Sequence, residues 1–242
     1  MTNFNVIFFN AGGTLIQLKN TTIPILYSEF LSRKGKQVSP EEVYQAFRKA
    51  ESWILSRKRP GALFTDLDQR KYQNVFYNQL GIRKRNQINQ IEKLIAENLE
   101  LKFSLEKDAL RILRYLKSSY QLGIISNWDE SLIEILDDLA ILDYFDSITF
   151  SGEVGVNKPD LEIFRSALEE FPNVKPKETA YIGDDYITDI IPAQKLKMFA
   201  ILFDKGPSGM HGRPFQTDVK CTIIRELAEL PEILNKHVTV HK

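Results

Sequence analysis

Four places along the chain set polar side chains directly behind an apolar run. Asn10 follows the strand-like run at 4–9. Ser126 and Asn127 follow a second run at 122–125, Lys158 follows the 151–156 segment, and Asp184 and Asp185, with Asp189 four residues on, follow a run at 180–182. The three aspartates crowd one turn and helix start, a set of hard oxygens that suits Mg²⁺, which takes one or two protein carboxylates and keeps several waters. A hydroxyl and an ammonium brought beside that cluster would hold the oxygens of a metal-bound phosphate. Taken singly, each residue has a plainer reading. Asp is favoured at helix starts, Ser126 would cap a helix at 128–139, and a lysine before proline is ordinarily a solvated surface residue.

Those side chains meet only if the elements carrying them form one sheet. The run at 4–9 reads as a buried strand ending in the glycine turn Asn10-Ala11-Gly12-Gly13-Thr14. From about 23 to 101 the spacing is helical, with Val43, Phe47 and Ile54 marking one segment, Tyr72, Val75, Phe76 and Leu80 another, and Ile88, Ile91 and Ile95 a third. Arg59-Pro60-Gly61 punctuates that block as a turn. After 104, helices at 108–117, 128–139, 160–171 and 189–197 alternate with strands at 122–125, 147–151, 180–182 and 198–203, and a last helix is expected at 223–234. This alternation predicts an α/β fold, a Rossmann-like parallel sheet covered on both faces, whose ligand site lies beyond the carboxyl ends of the strands. The expected division is a core of 1–16 plus 104–242, with an all-helical domain inserted at 17–103.

Composition narrows the function classes. Thirty-two basic and thirty-two acidic residues cancel, so no global field draws the chain to nucleic acid or an anionic membrane. Its 242 residues are 43% hydrophobic and 26% charged, which excludes disordered and fibrous classes. The single cysteine, Cys221, forms no internal disulfide and reads as a buried small residue in a reducing, cytoplasmic setting. The start, Met1-Thr-Asn-Phe-Asn-Val-Ile-Phe-Phe9, lacks the pattern of a signal peptide, and no run approaches the roughly 20 apolar residues of a membrane span.

In order and spacing, the four sites resemble the motifs of the haloacid dehalogenase superfamily of aspartate-nucleophile hydrolases. Its first motif, Asp-x-Asp-x-Thr after an apolar strand, matches Phe8-Phe9-Asn10-Ala11-Gly12-Gly13-Thr14 except at both aspartates. Gly123-Ile124-Ile125-Ser126-Asn127 matches the second motif, Val156-Asn157-Lys158-Pro159 the third, and Tyr181-Ile182-Gly183-Asp184-Asp185 with Asp189 the fourth. The inserted helical block is similar to that superfamily's first cap type. The resemblance implies an Mg²⁺-dependent phosphatase for a small phosphorylated metabolite. Position 10 would be the nucleophile and position 12 the general acid and base. Asn10, the Gly12 carbonyl, Asp184 and Asp185 would surround the metal, Ser126, Asn127 and Lys158 would hold phosphate, and Lys158 and Asp189 would complete the catalytic set.

Asn10 and Gly12 are where the sequence departs from that pattern. A carboxamide is not a competent nucleophile, and Gly12 has no side chain, a loss of general acid–base help worth about 10²–10⁴-fold. With aspartate at position 10, four carboxylates, Mg²⁺ and Lys158 would total −1; with Asn10 the total is 0. The expectation is retained phosphate binding, weaker metal binding and little turnover. Three explanations stay open: an engineered Asp→Asn replacement that traps a ligand, a native pseudo-enzyme that binds or scaffolds, and turnover by another route. A dehalogenase would tolerate Gly12 but has no use for the Gly-Asp-Asp turn, and a response-regulator receiver would be far shorter. The sequence leaves oligomeric state open.

Lys19, Arg57, Arg59 and Tyr72 are specificity candidates by location in the inserted block, and Trp128 by its place after the second motif. His211, His237 and His241 lack ligand spacing and read as surface residues, and 204–212 reads as a flexible glycine-rich connection.

Overall fold

In a computed structural model of the chain, the described residues are 4–57, 66–98, 101–212, 215–217 and 219–239. Arg59, the turn at 59–61 and His241 therefore lie outside them, as do the side chains of Ile54 and His237.

The chain divides into two compact units. One comprises Met1–Gln17, Phe103–Gly206 and Phe215–Lys242; the other comprises Leu18–Lys102 and Pro207–Pro214. The segment at 207–214 thus groups with the helical unit, not with the core to which its place in the sequence assigned it.

The first unit is built on β1 (Val6–Phe9), which is buried along its whole length. Two short strands, β2 (Ile16–Leu18) and β3 (Phe103–Leu105), pair with each other where the chain leaves and re-enters this unit. Among its described residues the second unit holds α1 (Ile23–Arg33), α2 (Pro40–Leu55), α3 (Asp66–Gln79) and α4 (Arg85–Asn98). The core then continues through α5 (Ala109–Lys117), β4 (Gln121–Ser126), α6 (Ser131–Asp138), β5 (Ser147–Phe150), a single turn α7 (Ser151–Val154) and α8 (Leu161–Glu169). It closes with β6 (Thr179–Gly183), α9 (Ile191–Lys195), β7 (Phe199–Phe203), β8 (Thr222–Ile224) and α10 (Leu230–Thr239).

Six strands form one sheet in the order β5-β4-β1-β6-β7-β8, and every ladder is parallel. Side chains alternate across a strand, so Ile7 and Phe9 of β1 pack with Ile112, Leu116, Leu132 and Leu230 on one face. Val6 and Phe8 pack with Ile163, Phe164, Tyr181 and Ile190 on the other. A sheet buried on both faces needs strands that are apolar throughout, and β1 is such a strand. The covering helices are one-sided: α5 buries Ala109, Ile112, Leu113 and Leu116, the i, i+3, i+4, i+7 stripe.

Register is what aligns the strand ends. Phe9 pairs with Ile124 on one side and Ile182 on the other, so the residues beyond those positions emerge at one edge of the sheet. That edge is flanked by strands added on both sides of β1, the switch point at which α/β sheets place their ligands.

Three expectations are corrected. The region at 223–234 begins as the sixth core strand, with Ile223 paired to Leu202, and only its later part joins a helix. Helix α6 starts at Ser131, so Ser126 is a strand end and caps nothing. Cys221 lies just before β8 and is half-buried, with its thiol pushed up by that burial.

In the helical unit, Phe30, Leu31, Val43, Ala46, Phe76, Leu80 and Ile88 form a separate core. Ser39 starts α2 with a capping box: its hydroxyl accepts from Glu42 N at 3.2 Å while the Glu42 carboxylate accepts from Ser39 N at 2.7 Å. Phe47 and Phe76 stack at 4.2 Å, with Tyr27 and Tyr77 edge-on to Phe76. Tyr72 packs into this core, and burial holds its hydroxyl well above the ordinary tyrosine range. Lys19 and Arg57 are exposed, the latter lying over the Trp53 ring at 4.6 Å. Among the described residues, no helix is long and apolar enough to cross a membrane.

Candidate active site

At the carboxyl edge of the sheet, Asn10 sits at the centre of a buried polar network. Its Oδ1 accepts from Ser126 Oγ at 3.1 Å and from Lys158 Nζ at 2.9 Å. Its Nδ2 donates to the Gly12 carbonyl and to Asp184 Oδ1, both at 2.8 Å. The turn carrying Gly12 folds back closely because Gly13 has φ +83°, and a Cβ there would lie 2.5 Å from Asp184 Oδ2. No other residue permits that approach.

Lys158 spends its three N–H groups inside the protein. Besides Asn10, it donates to Tyr181 Oη at 3.0 Å and to Asp189 Oδ1 at 2.6 Å, with the Lys158 and Asp189 side chains only 3% and 2% exposed. The Tyr181 hydroxyl has Asp189 Oδ1 at 2.9 Å and the Ile125 carbonyl at 3.1 Å as acceptors. Burial pushes the Asp189 carboxyl up and Asp184 adds to the rise, while the Lys158 ammonium opposes it; the net direction is upward. Burial, then Asp189, also drives Tyr181 well above its ordinary range.

The remaining candidates act at one remove. Asn127 accepts from Lys158 N at 2.7 Å and donates back to the Lys158 carbonyl at 3.1 Å, so its side chain fixes the lysine loop to the end of β4. Asp185 accepts from Ile187 N at 2.8 Å and Thr188 N at 2.9 Å, a cap for the turn at Tyr186–Ile190 that leads into α9. That turn is wide, with Ile190 N reaching the Asp185 carbonyl at 3.3 Å, and it swings Asp189 back so that its Oδ2 accepts from Asp185 N at 3.0 Å. Trp128 packs on Phe103 with ring centroids 5.5 Å apart.

Two residues of this network were not singled out in the sequence. Tyr181 looked like one more apolar strand residue, and only its even spacing from Gly183 places it on the Lys158 face. Gln216 lies in a segment without periodicity. Its side chain donates to the Asp184 carbonyl at 2.9 Å and accepts from Tyr186 N at 2.8 Å, and its own N–H donates to Asp204 at 2.9 Å. Asp204 is buried and paired to Arg225 at 2.6 Å, so the start of the 204–212 connection is anchored, against the flexible reading. His211 is half-buried, against the surface reading.

The donor set does not fit a magnesium centre as it stands. Of the expected ligands, Asn10 turns its NH₂ toward the Gly12 and Asp184 oxygens, and Asp185 is occupied as a cap.

A parallel α/β core with Asn10, Ser126, Lys158 and Asp184 gathered at one edge defines the class, and the sequence comparisons agree. The profile of the family described as haloacid dehalogenase-like hydrolase matches residues 7–203; the chain belongs to that family. It is 27% identical over 206 residues to an uncharacterized hydrolase of Schizosaccharomyces pombe, spanning 79% of this chain and 87% of that one. It is 32% identical over 131 residues to the glyceraldehyde 3-phosphate phosphatase of Pyrococcus furiosus, about half of each chain at 52%. The fold is shared with the HAD-hydrolase YfnB of Bacillus subtilis, solved bound to magnesium, at 18% identity and TM-score 0.67 over 96% of this chain and 99% of that one.

Proposed function

We propose that this chain uses a phosphatase-type site to bind a small phosphorylated metabolite without hydrolysing it. The observation that carries the reading is the pair of donors, Ser126 Oγ and Lys158 Nζ, aimed at the side-chain oxygen of residue 10. Donors in that arrangement would hold an attacking carboxylate oxygen, and each would turn from a present acceptor to a ligand oxygen as the ligand enters. Here the oxygen belongs to a carboxamide, a neutral group with no charge to drive attack. Gly12 provides no proton donor for a leaving alcohol and no base for water. The neutral side chain also removes one negative charge from beside an incoming phosphate dianion.

Resemblance to the glyceraldehyde 3-phosphate phosphatases supports a ligand class of short phosphorylated carbon chains. The test is phosphorus NMR of glyceraldehyde 3-phosphate mixed with the chain. The ligand resonance is expected to broaden, the broadening to be lost in Ser126→Ala, and no inorganic phosphate to accumulate. Steady release of inorganic phosphate, or a resonance indifferent to the protein, would overturn the reading.

A further inference from the structure

The surroundings of Asn10 sort its two ends. Ser126 and Lys158 present donors on one side, while the Gly12 carbonyl and the Asp184 carboxylate on the other can only accept. An amide satisfies all four neighbours in one orientation alone. Turned over, its oxygen would lie 2.8 Å from two other oxygens and its NH₂ would face the Lys158 ammonium at 2.9 Å. The two acceptors are the oxygens that, in a metal-dependent relative of this design, a cation would hold together.

We propose that the Asn10 amide takes the structural place of the divalent cation, bridging Gly12 and Asp184 with two N–H donors, so that this site assembles without magnesium and resists taking it up. Charge supports the same conclusion. Asp184, Asp185 and Asp189 against Lys158 leave a formal −2, and aspartate at position 10 would deepen it to −3 while setting two carboxylates edge to edge. The amide therefore lowers the demand for a cation by one charge and supplies donors where a second carboxylate would repel. Asp184 is also hemmed in by the turn: a Cβ on Gly13 would lie 2.5 Å from its Oδ2, and Thr14 Oγ1 stands 3.5 Å from Oδ1. Magnesium could enter only by turning the amide, which breaks four hydrogen bonds and sets NH₂ against ammonium.

The claim does not depend on which ligand the site binds, and its test contains no substrate. Thermal melting of the full chain is compared in EDTA and in millimolar MgCl₂, alongside calorimetric titration with MgCl₂ alone, for the chain, Asn10→Asp and Asn10→Ala. The chain is expected to melt at the same temperature in both buffers and to bind Mg²⁺ at least about tenfold more weakly than Asn10→Asp. Both variants are expected to melt lower in EDTA and to recover with Mg²⁺, the aspartate more fully. A melting temperature of the unsubstituted chain that climbs with MgCl₂, or an Mg²⁺ affinity equal to that of Asn10→Asp, would overturn the proposal. If Asn10→Asp does not fold in either buffer, Asn10→Ala decides: a melting temperature indifferent to Mg²⁺ there removes the bridging role.

Discussion

In the helical unit, Tyr77 and Gln73 on α3 both donate to Glu92 on α4, at 2.5 and 2.9 Å, across 15 and 19 residues of chain. In the α/β core, Asn10 is bonded to Ser126, Lys158 and Asp184, at separations of 116, 148 and 174 residues. Both sets bury polar atoms, yet they arise differently. The helical pairs come with the packing of two neighbouring helices whose apolar stripes, Phe76, Tyr77 and Leu80 on one and Ile88 and Ile91 on the other, fix their facing surfaces, so they form wherever that packing forms. The core pairs exist only once four strands have taken their register, and nothing local asks for them. Buried ion pairs add little net stability because desolvation offsets their attraction. A network assembled from such distances, around a lysine and an aspartate that are almost fully buried, therefore speaks of a site, while the Tyr77 cluster speaks of packing.

The difference can be broken most sharply at Lys158. Lys158→Met leaves Asp189 buried without its ammonium and is expected to lower the stability of the core by about 3–5 kcal/mol, read by chemical denaturation. The sign with pH follows from Asp189. Its carboxyl already lies above the ordinary value, and losing Lys158 raises it further. The variant is therefore least impaired below the ordinary carboxylate range, where Asp189 is protonated folded and unfolded alike, and loses stability as pH rises through the folded value. Equal loss at all pH would mean that Asp189 carries no buried charge.

A smaller effect is expected in the helical unit. Tyr77→Phe removes one hydroxyl and leaves the edge-on contact with Phe76 intact, at a cost of about 1 kcal/mol, with ligand broadening in the phosphorus spectrum unchanged. Lost ligand binding in this variant would erase the distinction between the two networks.

How much of this was legible in the sequence follows from the same contrast. Asn10, Ser126 and Asp184 could be found because apolar strands of a buried parallel sheet end abruptly, and a polar residue at such an end is conspicuous; Lys158 lies beyond α7, past the end of β5, and was picked out by its place before Pro159 in the order of motifs. The helical segments were legible from Val43, Phe76, Leu80 and Ile88, whose spacing is that of a one-sided helix. The strand at Thr222–Ile224 was not, since three residues give no alternation and the apolar stretch continues toward a genuine helix. Asp185 was read as a ligand because capping and metal binding call for the same residue type at a helix start. Gln216 and Tyr181 join the site only through tertiary approach, and the orientation of the Asn10 amide depends on the nearby Gly12 carbonyl together with Ser126, Lys158 and Asp184 from three distant segments. None of that is encoded in local spacing.

The account turns on the carboxamide at position 10, and the most direct measurement is the rate at which the chain and Asn10→Asp hydrolyse an aryl phosphate in the presence of MgCl₂. The account predicts no hydrolysis above the uncatalysed rate for the chain, and a measurable rate for the variant, held about 10²–10⁴-fold below that of a complete site by the missing acid and base at Gly12. Equal rates for the two proteins, or silence in a folded Asn10→Asp that binds Mg²⁺, would contradict it.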